Sequence, residues 1–165
     1  MDDRDGDEAG AVGGGATMNF QDNLIGNERG VEQVVKSSKR VAVLGIKTEQ
    51  HSGQPAFYVA DYLAKAGVEV VPVPVYYPDV THILGKPVYR RLVDIPGEID
   101  LVDVFRRPQD IDQHLDDIIA KKPKAVWFQS GIRNDAAAEK LAKAGIQVVQ
   151  DRCLMVEHRR YAILG

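Results

Sequence analysis

Short apolar runs and segments of helical periodicity alternate five times along this chain. The apolar runs cover residues 41–44, 68–73, 100–105, 125–128 and 146–149, and helical spacing of apolar residues fills most of the intervals. Alternation with short connections is typical of a parallel sheet wound on both faces. We therefore expect an α/β fold: a Rossmann-like, doubly wound parallel sheet in three α/β/α layers, with about five to six strands. Right-handed crossovers favour the strand order 3-2-1-4-5. We expect Pro72 and Pro74 to end the hydrogen-bonding ladder of the second strand, one brief strand near Val88, and a helix that opens at Pro108.

Length and composition predict one folded domain. A chain of 165 residues with 44% hydrophobic residues can bury a single good core. The first residues combine an acidic run with the tract Gly13, Gly14 and Gly15, a composition that buries too little apolar surface to offset chain entropy. We predict a disordered tail over residues 1–23 and a single domain over residues 24–165.

Charge and cysteine content exclude several classes of partner. The formal net charge of -3 argues against nucleic acid or an anionic membrane surface as a partner, since both need clustered lysine and arginine. No apolar run approaches the roughly 18 residues of a membrane span. The one cysteine cannot form an internal disulfide, and the acidic start differs from a signal peptide. These features predict a cytoplasmic protein.

The first strand, loop and helix predict a phosphate site. Residues 41–44 run into Gly45, a loop follows, and Pro55 begins a helical segment. A helix that follows a parallel strand directs free amides and its positive dipole end toward that loop. Ligands of such sheets bind where the strand order reverses, here between the first strand and the strand that ends at Phe105. Function is therefore expected in the loops at residues 45–55, 72–78, 105–108 and 129–134.

Four cations lie at the predicted carboxyl edge of the sheet: Lys47, Arg106, Arg107 and Arg133. The planar guanidinium group suits phosphate, so several converging arginines indicate a ligand with more than one phosphate. The alternative is that individual arginines make surface ion pairs with Asp103, Asp110 or Asp135.

Other chemistries find less support in the sequence. The dinucleotide pattern GxGxxG would need glycine where the chain has Lys47 and Gln50, and no acidic residue ends the second strand to hold a ribose diol. NAD or another nucleotide stays an alternative ligand. The histidines lack the spacing of a zinc site, and Ser52 and Ser130 lack the GxSxG context of a hydrolase nucleophile. With no catalytic constellation in the sequence, an enzyme is disfavoured.

Several motifs together resemble a known family. The segments VAVLGIK, VEVVPVPVYYP, DLVDVFRRP, WFQSGIRND and VVQDRC resemble the small stand-alone CoA-binding domain proteins, which are similar to the N-terminal domain of the succinyl-CoA synthetase alpha subunit. The match runs from residue 38 to residue 153. The resemblance implies non-catalytic binding of coenzyme A or an acyl-CoA, because the phosphorylated histidine of the synthetase belongs to a second domain. A non-catalytic subunit of an acyl-CoA ligase-like complex stays an alternative, and a homodimer stays open.

The resemblance also implies which residues contact the ligand. It assigns one group to the pyrophosphate, one to the nucleotide, one to the opposite side of the cleft and one to the pantetheine arm, and Arg133 joins them as a further cation. In that order the groups are Gly45, Ile46, Lys47 and Thr48; Pro72, Val73 and Pro74; Phe105, Arg106 and Arg107; and Gln129, Ser130, Gly131 and Ile132.

Two further features leave alternatives open. The aromatic residues Tyr76, Tyr77 and Trp127 either line an adenine pocket or pack in the core, and core packing is the more common outcome. Cys153 either forms a mixed disulfide with the pantetheine thiol or lies buried and inert behind the last strand, as free cysteine usually does.

Overall fold

The computed structural model describes residues 19–162 as one layered α/β arrangement. None of the helices in this range is long and apolar enough to cross a membrane. The strands are β1 Arg40–Leu44, β2 Glu69–Val73, β3 His82–Ile83, β4 Lys86–Pro87, β5 Leu101–Val104, β6 Ala125–Phe128 and β7 Gln147–Val149; the helices are α1 Glu28–Ser37, α2 Pro55–Lys65, α3 Leu115–Lys121, α4 Asp135–Lys143 and α5 Leu154–Ala162.

Five strands form one parallel sheet in the order β2-β1-β5-β6-β7. The Rossmann-like parallel sheet flanked by helices is thus confirmed, and the order reverses between β1 and β5 as predicted. The predicted order 3-2-1-4-5 is wrong at one edge, because no strand of this sheet lies outside β2. The brief strand expected near Val88 is replaced by the β3/β4 hairpin, after which the Tyr89 amide donates a single hydrogen bond to the Pro72 carbonyl at 3.0 Å.

Proline explains why β2 is an edge strand. Pro72 was expected to end the hydrogen-bonding ladder of this strand, yet the pairing with β1 continues to Val73. The Glu69 amide and the Val73 carbonyl both bond toward the β1 side, so the alternate residue Pro72 presents its backbone outward. A residue without an amide hydrogen is tolerated at that position and denies a full ladder to a sixth strand.

Two apolar layers cover the sheet. Val102 and Val104 of β5 face the layer that contains α3 and α4, whereas Leu101 faces the layer of α1, α2 and α5. Burial of each such side chain contributes roughly 1.5–3 kcal/mol relative to exposure. Asp103 lies on β5 among these residues and is fully buried, with no hydrogen-bond partner for either carboxyl oxygen within residues 19–162. Burial raises the pKa of the Asp103 carboxyl well above its usual range.

The segment before β1 packs against α4 and β7. Residues Phe20–Asn23 form one 3-10 turn, and the buried Asn23 side chain donates to the Ala142 carbonyl at 2.9 Å. Leu24 then forms a parallel bridge with Val148 of β7. The tail predicted over residues 1–23 lies outside the described residues up to residue 18, and its last residues are part of this packed turn.

Two differences from the expected helices concern the second half of the chain. Pro108 was expected to open a helix, but it begins a 3-10 turn, a second one follows, and α3 starts only at Leu115. The helix α5 was not predicted, although Leu154 and Tyr161 are buried on one face of it. Glu157, on the same face, is buried and ion-paired with Arg152 at 3.5 Å, which masks the apolar period in the sequence.

Candidate functional site

The carboxyl ends of β1, β5 and β6 open into a cleft of about 810 Å³. This volume lies within the range of about 300–1,000 Å³ that small-molecule sites occupy. The cleft lies where the strand order reverses, which is the usual ligand position in such sheets. Its lining comes from the loop before α2 and the first turn of that helix, the segments after β2, β5 and β6, and the residues before α5: Lys47, Gln54, Pro55, Ala56, Tyr58, Tyr76, Phe105, Arg106, Arg107, Pro108, Gln129, Ser130, Gly131, Ile132 and Cys153.

Gly45 allows the ends of β1 and β5 to lie backbone against backbone. Its φ of +87° is strained for other residues, and a Cβ atom there would lie 2.2 Å from the Phe105 carbonyl oxygen. The Phe105 amide donates to the Leu44 carbonyl at 2.8 Å, which fixes this contact. Gly45 thus brings the segment after β5 against the loop that leads to α2.

The N-terminus of α2 lies at the cleft without a cap. Pro55 occupies the first turn, and the preceding Gln54 makes no side-chain capping hydrogen bond to the helix. Instead the Gln54 side chain accepts from the Lys47 ammonium. The Lys47 amide donates to the Ala56 carbonyl at 3.0 Å, which holds this lysine beside the first turn. The positive end of the helix dipole and one ammonium group therefore face the same space, an arrangement that attracts anions.

The α4 N-terminus, at the same edge of the sheet, is closed. The Asn134 side-chain oxygen accepts from the Ala137 amide at 3.0 Å, and its side-chain nitrogen donates to the Pro108 carbonyl at 2.9 Å. The Asn134 amide in turn donates to the Gln150 side chain at 2.7 Å. This helix start therefore carries a side-chain cap from within the protein, which the α2 start lacks.

Arg106 is held in the wall opposite α2. Its side chain is only 8% exposed, and its Nε donates to His114 Nε2 at 3.1 Å. The guanidinium carbon lies 5.6 Å from the centre of the Tyr76 ring, within the range of a cation–π contact. Burial and the nearby Arg106 charge lower the pKa of His114, in that order, which favours the neutral ring that can accept this hydrogen bond.

Arg107 is the exposed cation of the same wall. Its side chain is 71% exposed, and its Nε donates to Asp110 Oδ2 at 2.6 Å. This hydrogen bond raises the pKa of Arg107 and lowers the pKa of Asp110. Because exposed ion pairs contribute little, a phosphate can replace this carboxylate at small cost.

The turn after β6 lines the cleft and is held by hydrogen bonds within the protein. The Ile132 amide donates to the Gln129 carbonyl at 2.8 Å, Gly131 takes a φ of +83°, and its amide donates to Asp151 at 2.6 Å. Gln129 is buried, and its side-chain oxygen accepts from the Leu154 amide at 3.1 Å. This turn therefore joins the end of β6 to the start of α5.

The structure brings eight of the fifteen predicted residues to the cleft. These eight are Lys47, Phe105, Arg106, Arg107, Gln129, Ser130, Gly131 and Ile132.

The other seven predicted residues lie elsewhere. Gly45 lies behind the lining, and five more are buried: Ile46, Thr48, Pro72, Val73 and Pro74. Arg133 forms a 3.1 Å ion pair with Asp135 and lines a separate depression beside Gly26. The ion-pair alternative thus describes Arg133 with Asp135 and, within the cleft, Arg107 with Asp110.

The three aromatic candidates separate. Tyr76 is 62% exposed and lines the cleft, whereas Trp127 is fully buried and donates to the Arg152 carbonyl at 2.7 Å. Tyr77 contacts His51 with ring centres 5.5 Å apart. Tyr76 is fixed indirectly, because the Arg90 guanidinium donates to its carbonyl at 2.9 Å and to that of Tyr77 at 2.8 Å.

Five lining residues were not among the predicted contact residues: Gln54, Pro55, Ala56, Tyr58 and Pro108. Three of them, Gln54, Pro55 and Pro108, lie within the loops that were expected to carry function, whereas Ala56 and Tyr58 lie beyond them. Pro55 and Pro108 each begin the element that follows a strand, so the position of proline after a strand was the available signal. The exposed Tyr58 carries no such signal, since a tyrosine in the first turn of a helix is compatible with any surface. Across residues 19–162, no cluster of three or more histidine, cysteine, aspartate or glutamate side chains could hold a metal ion.

Comparison with known proteins agrees with this geometry. A family model described as a CoA-binding domain matches residues 39–159, which contain every strand of the sheet and every segment that lines the cleft. The Bacillus subtilis (strain 168) protein YneT is 29% identical over 128 residues, which cover 78% of this chain and 91% of that protein.

Solved structures show the same fold. The structure of cell-free ID.343 from Thermus thermophilus is 38% identical, with a TM-score of 0.74 over 82% of this chain and 99% of that one. An acetyl-coenzyme A synthetase of Ca. Korarchaeum cryptofilum, solved with phosphate and ADP, has a TM-score of 0.57 over 67% of this chain and 25% of that one. At 16% identity, this second likeness concerns the fold alone.

Proposed function

Since the family model covers most of its length, the chain belongs to the CoA-binding domain family, and we propose that it binds coenzyme A or an acyl-CoA in the cleft at the carboxyl ends of β1, β5 and β6. In this proposal the protein is a cytoplasmic binding module that holds the thioester or thiol without transforming it. Its role is that of a carrier or sensor of the CoA pool.

The uncapped α2 N-terminus opposite two arginines carries the proposal. Lys47 and the first turn of α2 form one wall, and Arg106 and Arg107 form the other. Coenzyme A carries a pyrophosphate and a 3′-phosphate, so two separate groups of donors are what its nucleotide end requires. A hydrogen bond between a charged donor and a phosphate contributes roughly 1.5–3 kcal/mol.

The remaining lining accounts for the rest of the ligand. The exposed ring of Tyr76, held near Arg106, offers an apolar face to the adenine base. In this proposal the pantetheine arm lies along the turn at residues 129–132, and the Gln129 side-chain amide donates to one of its carbonyl groups.

Isothermal titration with three ligands tests the proposal. We expect coenzyme A to bind at one site per chain and 3′-dephospho-coenzyme A to bind about tenfold more weakly, the loss of one charge-assisted contact. NADH should compete poorly, because it lacks both the 3′-phosphate and the arm. Equal affinity for coenzyme A and NADH would contradict the proposal and favour a general nucleotide site.

Two arginine variants provide a matched comparison. Arg107 and Arg133 are both exposed, with side-chain exposures of 71% and 61%, and each is paired with one aspartate. Arg107 lines the cleft and Arg133 does not. Arg107→Ala should weaken coenzyme A binding about tenfold, whereas Arg133→Ala should change it less than twofold. Equal losses would show that the arginines act only through general charge.

A further inference from the structure

Cys153 lies in the cleft and is fixed there by its neighbours in the chain. The Arg152 amide donates to the Phe128 carbonyl at 3.3 Å, and the Arg152 carbonyl accepts from the Trp127 side chain. On the other side, the Leu154 amide donates to the Gln129 side chain at 3.1 Å. Cys153 is therefore held over the carboxyl end of β6, half-buried and lining the opening.

A second observation points to a ligand at this end of the cleft. Gln129 is only 3% exposed, and its side-chain oxygen accepts a hydrogen bond from the Leu154 amide. Its amide nitrogen has no hydrogen-bond partner among residues 19–162. Within this range only the two Asp103 carboxyl oxygens are both fully buried and without a partner, so the Gln129 nitrogen keeps some contact with solvent. The Gln129 residue itself lines the cleft. A donor without a partner, in a nearly buried residue that lines the cleft, needs an acceptor from outside, such as an amide carbonyl.

The position of Cys153 matches the thiol end of a bound coenzyme A. The phosphate donors stand after β1 and β5, and Cys153 stands over β6, so the two ends of the cleft are about two strand spacings apart, roughly 10 Å. An extended pantetheine arm spans such a distance, offers amide carbonyls on the way, and ends in a thiol.

We propose that Cys153 is a thiol-exchange site which forms a mixed disulfide with the bound ligand. This inference rests on the proposed function, since the nucleotide end positions the reacting sulfur. The co-reactant is a symmetric disulfide of the CoA class. Cys153 Sγ attacks one ligand sulfur, the ligand disulfide bond breaks, and a new disulfide joins Cys153 to one half of the ligand. The other half leaves as a thiolate and takes up a proton, while the Cys153 proton passes to solvent.

Mass spectrometry of the intact full chain tests this directly, because the chain contains one cysteine. Incubation with coenzyme A disulfide should add one CoA less two hydrogens per chain, and dithiothreitol should remove it. The Cys153→Ser variant should gain no mass. Peptide mapping of the wild-type adduct gives the same assignment if that variant fails to fold. Absence of an adduct on wild type would overturn the proposal.

A second disulfide separates directed exchange from simple thiol reactivity. Pantethine is the symmetric disulfide of the same arm without nucleotide or phosphates. At equal concentration, coenzyme A disulfide should modify Cys153 at least tenfold faster than pantethine, and Arg107→Ala should reduce only the faster rate. Equal rates for the two disulfides would overturn the proposal.

The outcomes distinguish the two levels of inference. If coenzyme A binds by titration but its disulfide reacts no faster than pantethine, the exchange site fails and the proposed function stands. If coenzyme A does not bind and the rates are equal, both fail. Gln129→Glu keeps the acceptor for the Leu154 amide but loses the donor. It should slow the reaction of coenzyme A disulfide at least fivefold, and an unchanged rate would contradict the assignment of a ligand carbonyl to this amide.

Discussion

The N-termini of α2 and α4 lie at the same edge of the sheet and follow strands of the same kind, yet only α4 has a side-chain cap. The α4 start is capped by Asn134, which accepts from one amide of the helix and donates to the Pro108 carbonyl. The α2 start follows Gln54, whose longer side chain turns to Lys47 instead of the helix amides. The difference shows that the residue at the cap position decides whether the first turn of a helix is bonded by a side chain of the protein or is left open to an anion.

The largest effect is expected when the close contact between Gly45 and the Phe105 backbone is disrupted. Gly45→Ala puts a Cβ atom 2.2 Å from the Phe105 carbonyl oxygen at a φ of +87°. We expect a loss of at least about 3 kcal/mol in the free energy of unfolding, measured by urea denaturation. Gly53→Ala is the control in the same loop, because a Cβ atom there has nothing within 4 Å. Equal stability of the two variants would show that β1 and β5 do not touch in this way.

The second-largest effect is expected from removal of the side-chain cap of α4. Asn134→Ala removes the cap of α4 and its bond to Pro108, and should cost about 1–2 kcal/mol of stability. Coenzyme A affinity should change less than threefold, because this helix start is not part of the proposed phosphate site. A loss of affinity much larger than the loss of stability would indicate that α4, and not α2, receives a phosphate.

A smaller effect is expected when the N-terminus of α2 is given a side-chain cap. Gln54→Ser supplies a short capping oxygen to the first turn of α2, and should add about 0.5–1 kcal/mol to the free energy of unfolding. The same oxygen competes with the phosphate, so coenzyme A should bind about threefold to fivefold more weakly. Thermal unfolding with and without coenzyme A measures both changes. Greater stability with unchanged affinity would place the phosphate away from this helix.

The smallest effect concerns the wall that faces α2. The pKa of His114 is lowered from 6.5 by burial and by Arg106, so at acid pH the unfolded chain binds a proton that the folded chain resists. The stability that neutral His114 contributes is therefore fully present above about pH 6.5 and is lost as the pH falls from there through the pKa of the folded state. His114→Gln keeps an acceptor for Arg106 and should lose less stability than wild type between pH 7.5 and 5.5. His158, whose pKa burial also lowers, leaves a residual slope in both proteins.

Much of the fold followed from periodicity, because parallel strands buried on both faces appear as short apolar runs. The outer edge did not follow. Whether a turn-rich segment adds a strand beyond β2 depends on the outward direction of the Pro72 backbone, which only the register with β1 reveals. The helix α5 was missed because buried Glu157 interrupts its apolar face, and its ion pair with Arg152 forms only in the folded chain.

The site was partly predictable for a similar reason. Residues directly after a strand, such as Arg106 and Gln129, are placed by the sheet itself, and the structure has them in the cleft. Arg133 follows the turn at Gly131, which changes the direction of the chain. Its side chain lies outside the cleft and pairs with Asp135. Cys153 lies in the cleft although it does not directly follow a strand. Its position depends on the tertiary hydrogen bond from the Leu154 amide to the Gln129 side chain, which residue spacing in the sequence does not predict.

The bridge between Leu24 and Val148 has a consequence for self-association. The Ile25 amide donates to the Val148 carbonyl at 2.9 Å, so the margin of the sheet at β7 is already occupied by the chain's own leading segment. At the opposite margin, Pro72 interrupts the outward row of amides. Both margins therefore disfavour fusion of two copies into one continuous ten-stranded sheet by strand addition. We expect a dimer of this protein to form through helical or loop surfaces.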